Sequence, residues 1–249
     1  MNQARLAIYP RLLFETRAGS HLYGIATETS DEDYRAVYAE TASPLVGIGG
    51  EGKVLRSPEG AAVDWEAQPL RQFARLAMAC NPNILDTLFA PREHWLVSSP
   101  DWQALYQIRH AFLNTRAKRT FLAMARNHLE RVKAPNNRTG KSSRMALIER
   151  YGHDVKDAGH LVRLLLKAEM LIKDGDYNPV LTGLDRQMVV EVRAGQTTLP
   201  EVLAWADDRH AELDALPVNL PDEPNRALVE RTVIDIHRTW LRQDIPALA

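Results

Sequence analysis

Gly19-Ser-His-Leu-Tyr-Gly-Ile-Ala-Thr-Glu-Thr-Ser-Asp31-Glu-Asp33-Tyr-Arg35 is the stretch on which the reading of this chain turns. Gly19 and Ser20 offer backbone N–H groups and a hydroxyl to phosphate at the start of a helix. Ten residues separate Ser20 from Asp31. Asp31 and Asp33 are two apart, so in a strand both carboxylates point to the same face. Paired carboxylates beside a phosphate cradle hold hard divalent cations through oxygen. The chemistry this implies is nucleotidyl transfer from a nucleoside triphosphate.

Working outward, Leu12 to Thr16 reads as a strand leading into the Gly-Ser turn, and Ser20 to Ile25 as the helix it opens. Thr27 to Ser30 is turn chemistry. Asp33 to Ala39 alternates and is rich in β-formers, hence a second strand. Residues 41–60 read as a long loop or ragged hairpin, and Ala62 to Glu66 as a third strand. The period then becomes helical at Leu70, Phe73, Ala74, Ala77 and Met78. Asn81 is a natural N-cap and Pro82 a natural first helical residue, so a helix restarts there and ends near Phe89. Asp101–Ala111, Thr115–Lys133, Ser142–Lys173, Leu199–Leu216 and Arg226–Leu241 read as helices. Pro135 to Gly140 is a break and Pro217 to Pro224 a proline-rich linker.

The 249 residues suffice for one large domain or two small ones. Net charge is only −1, but it is unevenly spread. Arg109 to Arg150 holds eleven Lys and Arg against two acids, whereas Asp174 to the end holds fourteen acids against seven Arg. The basic middle reads either as a polyanion-facing region or as a solvated helix face. Cys80 is the single cysteine, so neither an intramolecular disulfide nor a cysteine zinc site is available, and it reads as buried core. With no long apolar run, no membrane span is expected, and a reducing cytoplasm fits.

The Gly-Ser, spacer and Asp-x-Asp pattern resembles the polymerase-beta-like nucleotidyltransferase superfamily. Within it, the chain is similar to the RNA-repair-associated predicted nucleotidyltransferases of bacteria and phages. That narrower resemblance rests on Gly-Ser-x-x-Tyr-Gly at 19–24, Ser-Asp-x-Asp-Tyr-Arg at 30–35, Asn-Pro-Asn-Ile-Leu at 81–85 and Gly-x-Asp-x-Lys-x-x-x-His-x-x-Arg-Leu-Leu at 152–165. It implies an α+β chain: a small mixed-sheet catalytic domain over 1–95, then an all-helical substrate- and nucleotide-binding domain over 96–249.

The resemblance also implies two Mg²⁺ ions with an NTP as substrate. Asp31 and Asp33 would bridge both ions, and a third carboxylate would serve the attacking hydroxyl. Asp64 is the choice for that role and Glu66 the fallback. Gly19 and Ser20 hold the β- and γ-phosphates. Arg35 either pairs with Asp33 or contacts the nucleotide. His21 and Ala36 depart from a pattern that often carries Arg and Gly at those places. On one helix Lys156, His160, Arg163 and Lys167 fall at i, i+4, i+7 and i+11, a basic stripe beside the apolar Leu161, Leu164, Leu165, Ala168 and Ile172. The stripe reads as a grip on triphosphate or RNA phosphate, or as an exposed charged face. Lys141 and Arg144 read either as part of the same basic surface or as single helix-surface cations without a role. RNA is the first acceptor; a protein side chain, a small molecule, or a catalytically idle nucleotide- or RNA-binding module are the alternatives.

Overall fold

The computed structural model describes residues 11–48, 50, 52–58, 61, 63–134 and 142–245. The Pro135–Gly140 break, Lys141 and Ala62 lie outside them. The chain divides into two compact units, one of residues 1–114, 178–180 and 223–249, the other of 115–177 and 181–222.

The first unit is built on a five-stranded mixed sheet of order β3-β4-β2-β1-β5. The strands are β1 (Leu12–Arg17), β2 (Asp33–Tyr38), β3 (Leu55–Arg56), β4 (Asp64–Pro69) and β5 (Trp95–Ser98). β1 runs antiparallel to β2 and β5, β2 parallel to β4, and β3 antiparallel to β4. Five consecutive residues of β1, Leu12 to Thr16, are buried, because both sheet faces are covered. A bulge between Leu12 and Phe14 breaks the alternation. Leu12 therefore joins Ala36, Tyr38, Trp65 and Ala67 on one face. Phe14 stacks on Trp102, ring centroids 3.9 Å apart.

Among the described residues this unit carries the α-helices α1 (Gly19–Leu22), α2 (Ala42–Val46), α3 (Leu70–Met78), α4 (Pro82–Leu88), α5 (Pro100–Gln107) and α11 (Arg226–Asp244). The 41–60 stretch, read as loop or hairpin, thus contains α2 and the two-residue β3. The first unit runs past residue 95 and takes back the C-terminal helix. His237 of α11 lies 2.9 Å from buried Glu40, Trp240 donates to Asp101 at 3.0 Å, and the Ala42 N–H donates to Asp244 at 2.8 Å. Such pairings join residues more than a hundred positions apart, which local patterning does not reveal. Cys80 is fully buried, as expected.

The second unit is helical: α6 (Arg116–Lys133), α7 (Ser142–Tyr151), α8 (Val155–Asp174), α9 (Gly183–Arg193) and α10 (Leu199–Ala215). The single helix read over Ser142–Lys173 is two, because the chain turns at Gly152 with φ +76°. α8 is the hub, packed by α6, α9 and α10. α9 has no counterpart among the helices read from the sequence. Its signal was present: Leu184, Met188, Val189 and Val192 follow helical spacing, and Val189 and Val192 are buried.

Candidate active site

The Gly-Ser turn is folded directly onto the first aspartate of β2. Gly19 has φ +57°, in the left-handed region that favours glycine. A Cβ there would stand 2.1 Å from Asp33 Oδ2, so any side chain would have to push that carboxylate aside. The Ala18 N–H donates to the Asp33 carbonyl at 2.8 Å, joining the end of β1 to the start of β2. α1 is a single turn, and the Tyr23 hydroxyl fastens it by donating 2.8 Å to the buried carboxylate of Asp86 in α4. Two of the quoted motifs, Gly-Ser-x-x-Tyr-Gly and Asn-Pro-Asn-Ile-Leu, are therefore one structural piece. Asn81 caps α4 through Asn83 N–H and Ile84 N–H, with Pro82 in the first turn. Asn-Pro-Asn is architecture.

Asp33 and Asp64 are register partners on the parallel pair β2–β4, followed along the strands by the pair Arg35 and Glu66. In a parallel ladder register partners share a face, so all four side chains stand on one side of the sheet. Glu66 is engaged by Arg56 at 2.8 Å and by Gln68 at 2.8 Å. Asp64 is 61% exposed and meets one guanidinium N–H of Arg35 at 3.5 Å. Arg35 thus reaches Asp64, a third possibility beside the two read from sequence.

Asp31 does not share the strand. β2 begins at Asp33, and Asp31 lies exposed between that strand and the Thr27–Ser30 turn, where the Ser30 N–H donates to the Thr27 carbonyl at 3.0 Å. The expectation that strand alternation aligns Asp31 with Asp33 is corrected accordingly. Among the described residues, no three His, Cys, Asp or Glu side chains converge tightly enough to hold a metal ion. The donor chemistry nevertheless fits one. Burial raises the Asp33 carboxyl above its ordinary range; Arg35 opposes this, Asp64 and Asp31 add to it, and His21 opposes it. Neighbouring carboxylates that repel each other in this way are relieved by a hard cation.

Two histidines flank the turn, and sequence reading assigned no role to either. His21 Nε2 and His94 Nδ1 are buried without a hydrogen-bond partner among the described residues. Burial lowers the His94 pKa against the opposing pull of Glu93, with Arg17 and His21 lowering it further. His94 is held in place through its carbonyl, which accepts from Thr16 Oγ1 at 3.1 Å.

In the second unit, the 152–165 motif builds the interior of the helical bundle. Asp154 caps α8, accepting from the Lys156 and Asp157 N–H groups at 3.0 and 3.1 Å. Arg144 pairs with Asp154 at 2.7 Å and with Asp157 at 3.2 Å, and His128 meets Asp157 at 3.2 Å. Arg163 and Lys167 are buried. His160 is pushed down to about 3 by burial and by Arg163, His128 and Arg193, against Asp157. The solvent-facing basic stripe is thus corrected. α8 is packed by three neighbouring helices, so of the stripe's four cations Arg163 and Lys167 are buried and His160 and Lys156 are partly buried, while Lys173 at the helix end stays exposed beside Glu169 and Glu212. Arg144 likewise serves the buried aspartates rather than an open surface. Gly159 leaves the gap into which Arg193 of α9 packs; a Cβ would stand 2.5 Å from Arg193 Cγ.

A mixed sheet carrying in-register aspartates, with a Gly-Ser turn laid on one of them, defines a polymerase-beta-like nucleotidyltransferase. The family follows from comparison: residues 2–216 match RlaP, the RNA repair pathway DNA polymerase beta family, and the chain belongs to it. Among solved structures, the chain is similar to a nucleotidyltransferase-like protein from Exiguobacterium sibiricum 255-15. The identity is 12%, covering 98% of this chain and 79% of that one, with a TM-score of 0.30. No curated protein matches the chain. No helix among the described residues is long and apolar enough to cross a membrane.

Proposed function

We propose that this nucleotidyltransferase moves a nucleoside monophosphate from an NTP to a hydroxyl of RNA, releasing pyrophosphate, with Mg²⁺ held by Asp31, Asp33 and Asp64. The observation that carries the reading is the pairing of Asp33 with Asp64 beside the Gly19 turn. Bound divalent cations supply Lewis-acid charge at the α-phosphate and lower the pKa of the attacking hydroxyl. Asp64 orients that hydroxyl for in-line attack on the α-phosphorus. The bond from the α-phosphorus to the bridging oxygen breaks, and pyrophosphate leaves. Gly19 and Ser20 hold the β- and γ-phosphates through N–H groups and the hydroxyl. The capture of Glu66 by Arg56 and Gln68 favours Asp64 as the third ligand. Within the second unit, Lys156 is the cation of α8 assigned to RNA phosphate; His160 and Arg163 act by holding the bundle together.

The RNA acceptor is supported by the family's description and by the outer face of α6. Arg116, Arg119, Arg126, Arg131 and Lys133 are exposed there. A buried Cys80 suits a reducing cytoplasm.

The test supplies each α-labelled NTP with Mg²⁺ and RNA, and in parallel a cell extract. Label should enter RNA. Asp64→Asn should lose most turnover while NTP affinity stays within several-fold, because its role is on the acceptor side. Full activity in Asp64→Asn with loss in Glu66→Gln would move the third ligand to Glu66. Label in protein or small molecules would replace the acceptor, and no label anywhere would leave a binding module.

A further inference from the structure

The ion pair between Arg35 and Asp64 carries a consequence for how cations enter the site. Arg35 stands beside Glu66 in the ladder, yet its guanidinium reaches back along the strand to Asp64. Glu66 is already taken by Arg56 and Gln68. Diagonal contacts of this kind span roughly 7–8 Å and lie within reach of a long side chain.

A permanent structural pair is short, bidentate and buried. This one is single, 3.5 Å long, and half open, with Arg35 30% and Asp64 61% exposed. Such exposed pairs are weak and displaceable. The adjoining Asp33 and Asp64 are register partners on one sheet face, so their like charges stand side by side and a neighbouring cation offsets that repulsion.

We propose that Arg35 is the built-in counter-cation of this edge. It neutralises Asp64 while the site holds no nucleotide, and it leaves that carboxylate for a phosphate when metal and triphosphate arrive. The inference rests on the reading of Asp33 and Asp64 as metal ligands. Its functional content is a coupling: metal alone competes with Arg35 and binds weakly, whereas an NTP draws Arg35 away and so raises the affinity for metal. Metal and nucleotide then load together.

The probe is Mn²⁺ binding to the full chain, read from the electron paramagnetic resonance signal of free Mn²⁺. Without nucleotide, Arg35→Gln should bind Mn²⁺ about three- to fivefold more tightly than wild type, the scale of one exposed ion pair. Arg35→Lys, which keeps the charge, should stay near wild type. With a non-reacting NTP analogue the order should invert, the wild type binding more tightly. If Arg35→Gln gains no affinity in the absence of nucleotide while Asp64→Asn loses it, the counter-cation role is wrong and the ligand assignment stands. If Asp64→Asn binds Mn²⁺ as the wild type does, the ligand assignment fails and the Arg35 inference falls with it.

Discussion

Asp33 pays for its position. It is half-buried between a glycine turn and a second aspartate, and its carboxyl is raised above the ordinary range by burial first, then by Asp64 and Asp31 against Arg35 and His21. An acid whose folded pKa lies above its unfolded value binds its proton more tightly when folded. Its charge therefore destabilises the fold above both values, and the penalty fades as pH falls through the folded value. Asp33→Asn should accordingly melt at the same temperature as wild type or higher in metal-free buffer at pH 7, with the gain vanishing near pH 4. Melts across that range, with chelator present, check this. A wild type clearly more stable than the variant at pH 7 would contradict it. Gly19 is the complementary case. The steric rule alone says why glycine stands there, but only the folded chain shows that the obstacle is Asp33.

At the scale of elements, α4 and α8 each turn a motif into architecture. Asn81 supplies two hydrogen bonds to the first turn of α4, and Asn-to-Ala changes at such caps cost about 1 kcal/mol. Asn81→Ala should lower the unfolding free energy by about 1 kcal/mol, read from the shifted denaturant midpoint, and leave transfer within about twofold, measured as turnover on folded protein. A large loss of turnover without loss of stability would return the motif to the substrate. In α8, His160 is neutral down to about pH 3. The unfolded chain protonates its histidines near pH 6.5, so stability falls as pH drops below that value and stops falling near the folded value. The slope from this group approaches about 1.4 kcal/mol per pH unit. His160→Gln should start less stable at pH 7 but lose less between pH 7 and 5. Equal slopes would show that His160 protonates freely in the folded bundle.

At the scale of the whole molecule, the basic middle divides into two populations. Arg144 is drawn to the buried Asp154 and Asp157, while Arg119 and Arg131 stand exposed on α6. If α6 binds RNA, affinity falls log-linearly with salt, at ~0.7 per phosphate contact for a single strand. Arg119→Gln with Arg131→Gln should reduce that slope by roughly one to two units and leave NTP affinity unchanged. Filter binding across a salt series measures it. A salt-independent acceptor interaction would move the acceptor to a protein or small-molecule hydroxyl.

What the sequence determined alone was whatever is local. The Gly-Ser turn, the strand at Asp33, the cap at Asn81 and the helical run from Leu70 follow from spacing, turn chemistry and periodicity within a dozen residues. The family followed too, because its motifs are short and ordered. What tertiary structure alone decided was which side chains face one another. The parallel register that sets Asp64 beside Asp33 joins residues 31 positions apart in the chain. Pairings 139 to 202 positions apart place α11 within the first unit, on Asp101, Glu40 and Ala42. The fate of the α8 cations depended on coverage: periodicity shows that Lys156, His160, Arg163 and Lys167 share a stripe, but not that the packing of α6, α9 and α10 buries Arg163 and Lys167. Burying those charges is costly unless they are paired, and the aspartates that pair with the surrounding cations are set by packing between helices, which no pattern along one helix contains.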